Sequence, residues 1–440
     1  MMREGSSFFP APALKGKLAE CYQHRLDMYY SAPLRFYQDL YRSLNILSSA
    51  EELITWDTSY HDYMSKDFSD ELLRKIFGLL TIVVSGNEVN QKCLTASIER
   101  ILTFYLKQSH EIALLPYLFH LFDQNYYLIQ DEELTNRIVE NLFTKIGDPM
   151  TNFTTQSFVL SILTNIVNAG VHSSVQSTQT IVLRRLFENP NPKQKDPFAL
   201  ETETIKDINT ELLESELVML NPATTDEGVV VPARSCFFIA MLQTLSACCE
   251  GKNAYSENIS QTLFPLATIC EVLSIPNLHV ALKLMVVDFL IPVFVDTEKE
   301  SLFNIREIII NVGPILLNDF ESLLRGDFPM PSHIKAQGNL VLTTLWCMKY
   351  SELIRTYQTI LGKLFLDILR QNIKISNQSV DYPKYSAFVR ALLTSIETTS
   401  GSGLSGSSGA QKIRTLNIAI KRTLLEFHGE ALIDGQPKKA

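Results

Sequence analysis

The sequence predicts an all-α chain, and three observations carry that expectation. Segment after segment of roughly 15–20 residues places apolar side chains three or four positions apart, between short polar breaks. Strand-like alternation is rare: 229–231 and 308–310 are the β-rich clusters of note, the first in a loop and the second inside a longer helical frame. With 18 glycines and 18 prolines in 440 residues, the chain is also poor in the punctuation that a loop-heavy all-β fold needs.

Taken in order, the clearest helical frames are 70–84, 94–106, 133–145, 156–168, 201–217, 235–249, 334–348, 352–369 and 411–428, within about sixteen expected helices. Between 189 and 197 the run Asn-Pro-Asn-Pro-Lys-Gln-Lys-Asp-Pro forbids helix, because each proline removes a donor and disfavours the α conformation in the residue before it. The frame 201–217 is acidic, with Ile205, Ile208, Leu212 and Leu213 on one face. A second loop, 221–232, follows it. This insert reads as a solvated connector helix or, alternatively, as a functional arm.

Composition bounds the class. A chain of 440 residues exceeds one ordinary core, which implies two or three domains or one elongated repeat array. At 46% apolar and 20% charged it can bury a large core, and wholesale disorder is excluded. A formal charge of −9 argues against a surface devoted to nucleic acid or anionic lipid. Seven scattered cysteines, mostly in apolar segments, match intracellular usage, cytoplasmic or nuclear. The first fourteen residues lack the basic and apolar regions of a signal peptide. The most apolar run, 279–295, carries Lys283 and Asp288 and is interrupted by Pro292, short of the ~20 residues a membrane span needs. A soluble chain with no membrane span is expected.

An all-α chain of this length with short connections is best solved by stacking helix pairs, so that each repeat covers its neighbour. The stretch 158–170, with leucines at helical spacing before Asn165 and a small-residue exit at Gly170, resembles the third helix of an armadillo repeat. The stretch 237–251 is similar, with Ser246 at the asparagine position, and 340–348 and 387–396 are more distant echoes. The resemblance implies an irregular armadillo/HEAT-like solenoid. In that family the residue at the place of Asn165 pairs its amide with the backbone of an extended ligand in a groove. Asn165, Ser246, Trp346, Phe388 and Arg390 are the groove candidates on this reading, and for Trp346 and Phe388 a role as core packing residues is the competing one.

The C-terminal region departs from the rest. Residues 398–410 form a glycine-serine tract, with four of the 18 glycines within nine positions. Such a tract is a flexible tether. It resembles the linkers that fuse a ligand peptide to its receptor. A natural hinge before a terminal helix that caps the array is the other reading. After it, Ile413, Leu416, Ile420, Leu424 and Phe427 fall at spacings of 3, 4, 4 and 3, a single apolar stripe on a helix. Six basic against three acidic side chains leave residues 411–440 at +3, so the remainder carries −12. One isolated helix of this length is marginal in water and needs a surface. A flexible dozen residues reaches roughly 17–21 Å, which points to docking near 346–390 at an effective concentration on the order of millimolar. Lys421 and Arg422 would then meet an acidic rim.

The expected organisation is helical repeats over 1–188, an insert of loop and acidic helix over 189–232, helical repeats over 233–397, the tether over 398–410 and the amphipathic segment over 411–440. Phosphate-binding loop, nucleophile-elbow, His-Glu-x-x-His and Cys-x-x-Cys signatures are absent from the sequence. Cys248 and Cys249 read as a packed core pair, and Asp57, His61 and Asp62 as a solvated helix end. No catalytic residue, cofactor, metal or small-molecule substrate is expected. The expected function is a non-enzymatic protein–protein interaction scaffold whose groove captures a short amphipathic helix of a protein partner, represented here by residues 411–428. An autoregulated protein that occludes its own groove, or a binder using the basic tail for nucleic acid or membrane, are the alternatives.

Overall fold

The computed structural model describes residues 77–78, 80–95, 98, 111–125, 131–146, 151–169, 172–187, 202–219, 232–299, 302–325, 340–371, 382–399 and 408–428. The expectations for Asp57, His61 and Asp62, for the loops 189–197 and 221–231, and for most of the frame 94–106 lie outside these residues. Among them the chain is all-helical, with no strand. The helices are α1 (Glu88–Thr95), α2 (Glu111–Phe122), α3 (Glu132–Phe143), α4 (Phe153–Asn168), α5 (His172–Phe187), α6 (Thr202–Met219), α7 (Ala233–Cys249), α8 (Ala254–Leu263), α9 (Leu266–Leu273), α10 (Val280–Leu290), α11 (Leu302–Asn311), α12 (Gly313–Leu324), α13 (Leu340–Arg370), α14 (Tyr382–Thr399) and α15 (Ser408–Phe427). A π-turn, Ile291–Val295, continues α10.

Local chemistry sets several helix starts. Asp131, Asn152 and Asn253 are N-caps whose side chains accept from the amides of Leu134 (3.0 Å), Thr155 (2.8 Å) and Ser256 (3.3 Å). Pro232 and Pro265 stand immediately before α7 and α9, and Pro314 lies in the first turn of α12, where a missing N–H costs nothing. Gly251 turns the chain out of α7 at φ +79°, the left-handed region that glycine enters without a Cβ penalty.

Packing runs along a row. α2 packs on α4, α4 on α7, α7 on α10, α10 on α13 and α13 on α15. Beside it α3 packs on α5, α5 on α7 and α8, α6 on α7 and α9, and α14 on α11 and α12. This arrangement is compatible with a helical-repeat fold. The buried apolar residues form one continuous cluster from Phe77 to Leu424. Helix α4 lies directly against α7 across the 189–232 segment. Within that segment, α6 buries Ile205, Ile208 and Leu212 while Leu213 is half-buried, so its apolar face belongs to the common core.

Two glutamines tie the ends of neighbouring helices in the same way. Gln91 Nε2 donates to the carbonyls of His120 (3.0 Å) and Asp123 (2.8 Å) at the end of α2. Gln179 Nε2 donates to those of Ala247 (3.0 Å) and Glu250 (2.7 Å) at the end of α7. Each donates to carbonyls at a helix C-terminus, where regular helical pairing ends; that of Ala247 also accepts from the Glu250 amide at 3.3 Å. A related device holds the π-turn. Pro292 lacks an N–H, the turn widens, and Asp296 N reaches Ile291 O at 2.7 Å. The carbonyls of Val293 and Val295 are taken by Gln261 (2.6 Å) and Gln371 (3.2 Å).

The frames 334–348 and 352–369 were expected as two helices. The structure instead carries one helix of 31 residues, α13, through the join. The intervening Lys349, Tyr350 and Ser351 include no glycine or proline to stop it.

Candidate helix-binding site

Helix α15 occupies the surface formed by α13 and α14. It runs from Ser408 to Phe427, so it takes in the last three residues of the expected tether, as α14 takes in Thr398 and Thr399. Ile413, Ile420 and Leu424 are buried, the last two completely, and Leu416 is half-buried against the core. Fully burying an aliphatic side chain of this size is worth about 1.5–3 kcal/mol. The side chain of Phe427 lies outside the described residues. Ile418 and Leu425 face solvent on the opposite side, at 62% and 56% exposure.

The seat for this stripe is shaped by a glycine inside α13. A Cβ on Gly362 would lie 3.0 Å from Leu416 Cγ and closer still to Cδ2. Glycine in a helix interior costs about 0.5–1 kcal/mol relative to alanine. Here it opens a notch that the leucine fills. Phe320 of α12 lines the same place, with its ring edge-on to Phe365 of α13 at 5.3 Å.

The far end is fixed by polar contacts. His428, immediately after α15, is buried between α13 and α14. Its Nε2 lies 3.1 Å from the Leu369 carbonyl. A carbonyl can only accept, so Nε2 carries the hydrogen, and in the neutral ring Nδ1 then accepts from the Tyr385 hydroxyl. Leu369 is in the last turn of α13, where backbone carbonyls have no helical partner, and the imidazole caps it. Burial pushes the imidazole below its usual value, opposed by the bond to Leu369. The neutral ring is the form that fits. Lys421 pairs with Glu397 of α14 at 3.1 Å. Contacts 416 to 362 and 428 to 369 make α15 run in the same sense as α13, and contacts 421 to 397 and 428 to 385 make it antiparallel to α14.

Other expected site residues are placed differently. Arg422 does not reach an acidic rim: it bonds Glu426 one turn along its own helix at 2.7 Å, on the exposed face. Asn165 sends its amide into the protein, donating to the Phe119 carbonyl of α2 at 3.0 Å, and so ties α4 to α2. Ser246 is buried inside α7. Phe388 is buried with its ring against Phe365 at 5.6 Å, and Arg390 bonds the Ser386 hydroxyl and carbonyl on its own helix, α14. Asn165 and Ser246 lie on α4 and α7, well along the row from α15, whereas Phe388 and Arg390 lie on α14, beside it. The side chain of Trp346 lies outside the described residues. Gly362, Tyr385 and His428 were not anticipated. A glycine within a helical frame and a histidine before Gly429 carry no signal of their own in the sequence.

Cys248 and Cys249 are fully buried, and burial raises both thiols, that of Cys249 to about 12 against the Ser260 hydroxyl bond that lowers it. Thiolates are therefore disfavoured there. Among the described residues no group of three or more His, Cys, Asp and Glu side chains is placed to hold a metal ion, and no helix is long and apolar enough to cross a membrane. Comparison with protein-family models and with curated proteins finds no match.

Proposed function

We propose that this chain is a non-enzymatic helical-repeat scaffold, an armadillo/HEAT-like solenoid, whose α13/α14 surface captures a short amphipathic helix of a protein partner, with α15 standing in that helix's place. The observation that supports it most is the complete burial of Ile420 and Leu424 by a helix that follows a glycine-serine tract. A helix with such a stripe is bound chiefly by groove burial, with polar contacts setting register. The experiment is to place a protease site within 400–407 of the full chain, cleave it, and label the freed tail. Retention of the tail on gel filtration, with a dissociation constant from dilution, is expected. Its release at micromolar concentration contradicts capture of a separate helix.

A second reading is that α15 is the chain's own terminal cover, displaced by an activator. It is favoured by one feature: α15 continues the row in the same sense as α13 and joins the same core. An excess of an unrelated amphipathic helix that displaces the cleaved tail and uncovers new binding activity in the body would favour this reading.

A further inference from the structure

The ridge of α15 that enters the surface is Leu416, Ile420, Leu424 and His428, four residues at a constant spacing of four. Such i±4 ridges are the rows that helices present to the grooves of their neighbours. Its middle pair is apolar and generic, since any aliphatic side chain of similar volume fills such positions at small cost. Its two ends are not generic. At one end the seat is a missing Cβ. A larger side chain than leucine overfills the notch and a smaller one leaves a cavity. At the other end two fixed groups, one hydroxyl that can donate and one carbonyl that can only accept, meet the two ring nitrogens of a single imidazole. The ends are twelve residues apart along α15, about 18 Å along a helix axis.

We propose that the Gly362 notch and the Tyr385 hydroxyl–Leu369 carbonyl pair act as a two-point reader, selecting partner helices that carry a leucine and, twelve residues later, a histidine at the helix end. This rests on reading α15 as a stand-in for a partner helix. The partner is thus an amphipathic helix with an aliphatic residue at each of the two intervening ridge positions, and with a lysine opposite Glu397 as a peripheral contact. Selection comes from geometry at the ends: the notch fixes register, because a shift by one residue places a different side chain on Gly362, and the imidazole fixes the length of the docked segment.

The test uses the full chain with its tether cut and a labelled 408–428 peptide in competition with unlabelled variants. On the wild-type body, Leu416→Ala, Leu416→Phe and His428→Ala peptides are expected to compete at least about tenfold less well, and Arg414→Ala, on the exposed face, equally well. On a Gly362→Ala body the preference for leucine over alanine at 416 should shrink by about tenfold or reverse, and on a Tyr385→Phe body the penalty for His428→Ala should shrink. Peptide variants cannot unfold the body, so they hold the proposal open to failure even where a body variant does not fold. If the wild-type peptide does not compete at all, capture of a separate helix fails. If it competes but all the peptide variants compete equally, capture stands and the two-point reader is overturned.

Discussion

Tyr357 of α13 is fully buried, and it donates its hydroxyl to Oδ2 of Asp319 on α12 at 2.8 Å, the same oxygen that receives Lys283 Nζ of α10 at 2.6 Å. One carboxylate thus ties together α10, α12 and α13, the last being the helix that carries Gly362. Burial, and then the adjacent carboxylate, raise the Tyr357 phenol well above its usual range, so it stays protonated and donates to Asp319. Removing Asp319 strands a lysine whose side chain is only 15% exposed. Asp319→Ala should therefore cost about 3–5 kcal/mol, whereas Tyr357→Phe should cost about 1 kcal/mol. Urea denaturation of the two variants checks the contrast, and equal losses would show that the ion pair is not what binds the three helices.

The docked state should weaken in mild acid. A freed tail titrates its imidazole near the ordinary value of about 6.5, while in the docked state burial holds His428 lower, against the Leu369 carbonyl bond that raises it. The groups bonded to the ring are the Tyr385 hydroxyl of α14 and the Leu369 carbonyl of α13. As pH falls below about 6.5 the freed tail takes up its proton first, so docking is favoured less, and the loss continues until the docked value is passed. Above that window docking should not vary through this group. Titrating the cleaved tail between pH 7.5 and 5.5 tests this, and His428→Ala should flatten the curve.

Asn417 sits on the half-buried side of α15 with its amide oxygen buried and, among the described residues, without a hydrogen-bond partner. A desolvated acceptor of this kind costs about 1–3 kcal/mol. Asn417→Ala should therefore tighten docking of the cleaved tail, and circular dichroism of the free peptide separates that gain from the higher helix propensity of alanine. Weaker docking would mean that the amide is satisfied when docked.

The Lys421–Glu397 pair should contribute little. Both side chains are well exposed, at 40% and 52%, and such pairs are worth about 0.2–1 kcal/mol and are screened by salt. Lys421→Ala should change the dissociation constant by less than about fivefold, with the difference vanishing in high salt. Ile420→Ala, by contrast, removes a fully buried side chain and should cost about 2–5 kcal/mol. Calorimetry of the two variants at low and high salt distinguishes them.

The helical class and the apolar stripe of α15 were legible because both depend on periodicity within one segment. Ile413, Leu416, Ile420 and Leu424 stand three or four apart, and the only chemistry needed to read them is that of a helix with one wet face. Gly362 and His428 were not legible. The role of Gly362 is the absence of a Cβ opposite Leu416, and that of His428 depends on a hydroxyl and a carbonyl supplied by two other helices. Neither relation exists until the helices are packed. Asn165 shows the converse. Its position in a repeat-like helix suggested a ligand contact, yet the partner for its amide is the Phe119 carbonyl, 46 residues away. The join of α13 is not legible from the two frames 334–348 and 352–369 taken separately, although nothing in Lys349, Tyr350 and Ser351 stops a helix.

The most direct test of the central claim is hydrogen exchange at the backbone amides of Ile420 and Leu424 in the full chain, compared with a Leu416→Asp, Ile420→Asp, Leu424→Asp variant. If α13 and α14 shelter the stripe, these amides are strongly protected in the wild type and exchange at the rate of a free peptide in the variant, while amides in α7 keep their protection. Equal and rapid exchange in both proteins would show that α15 is not held by the surface, and would contradict the account.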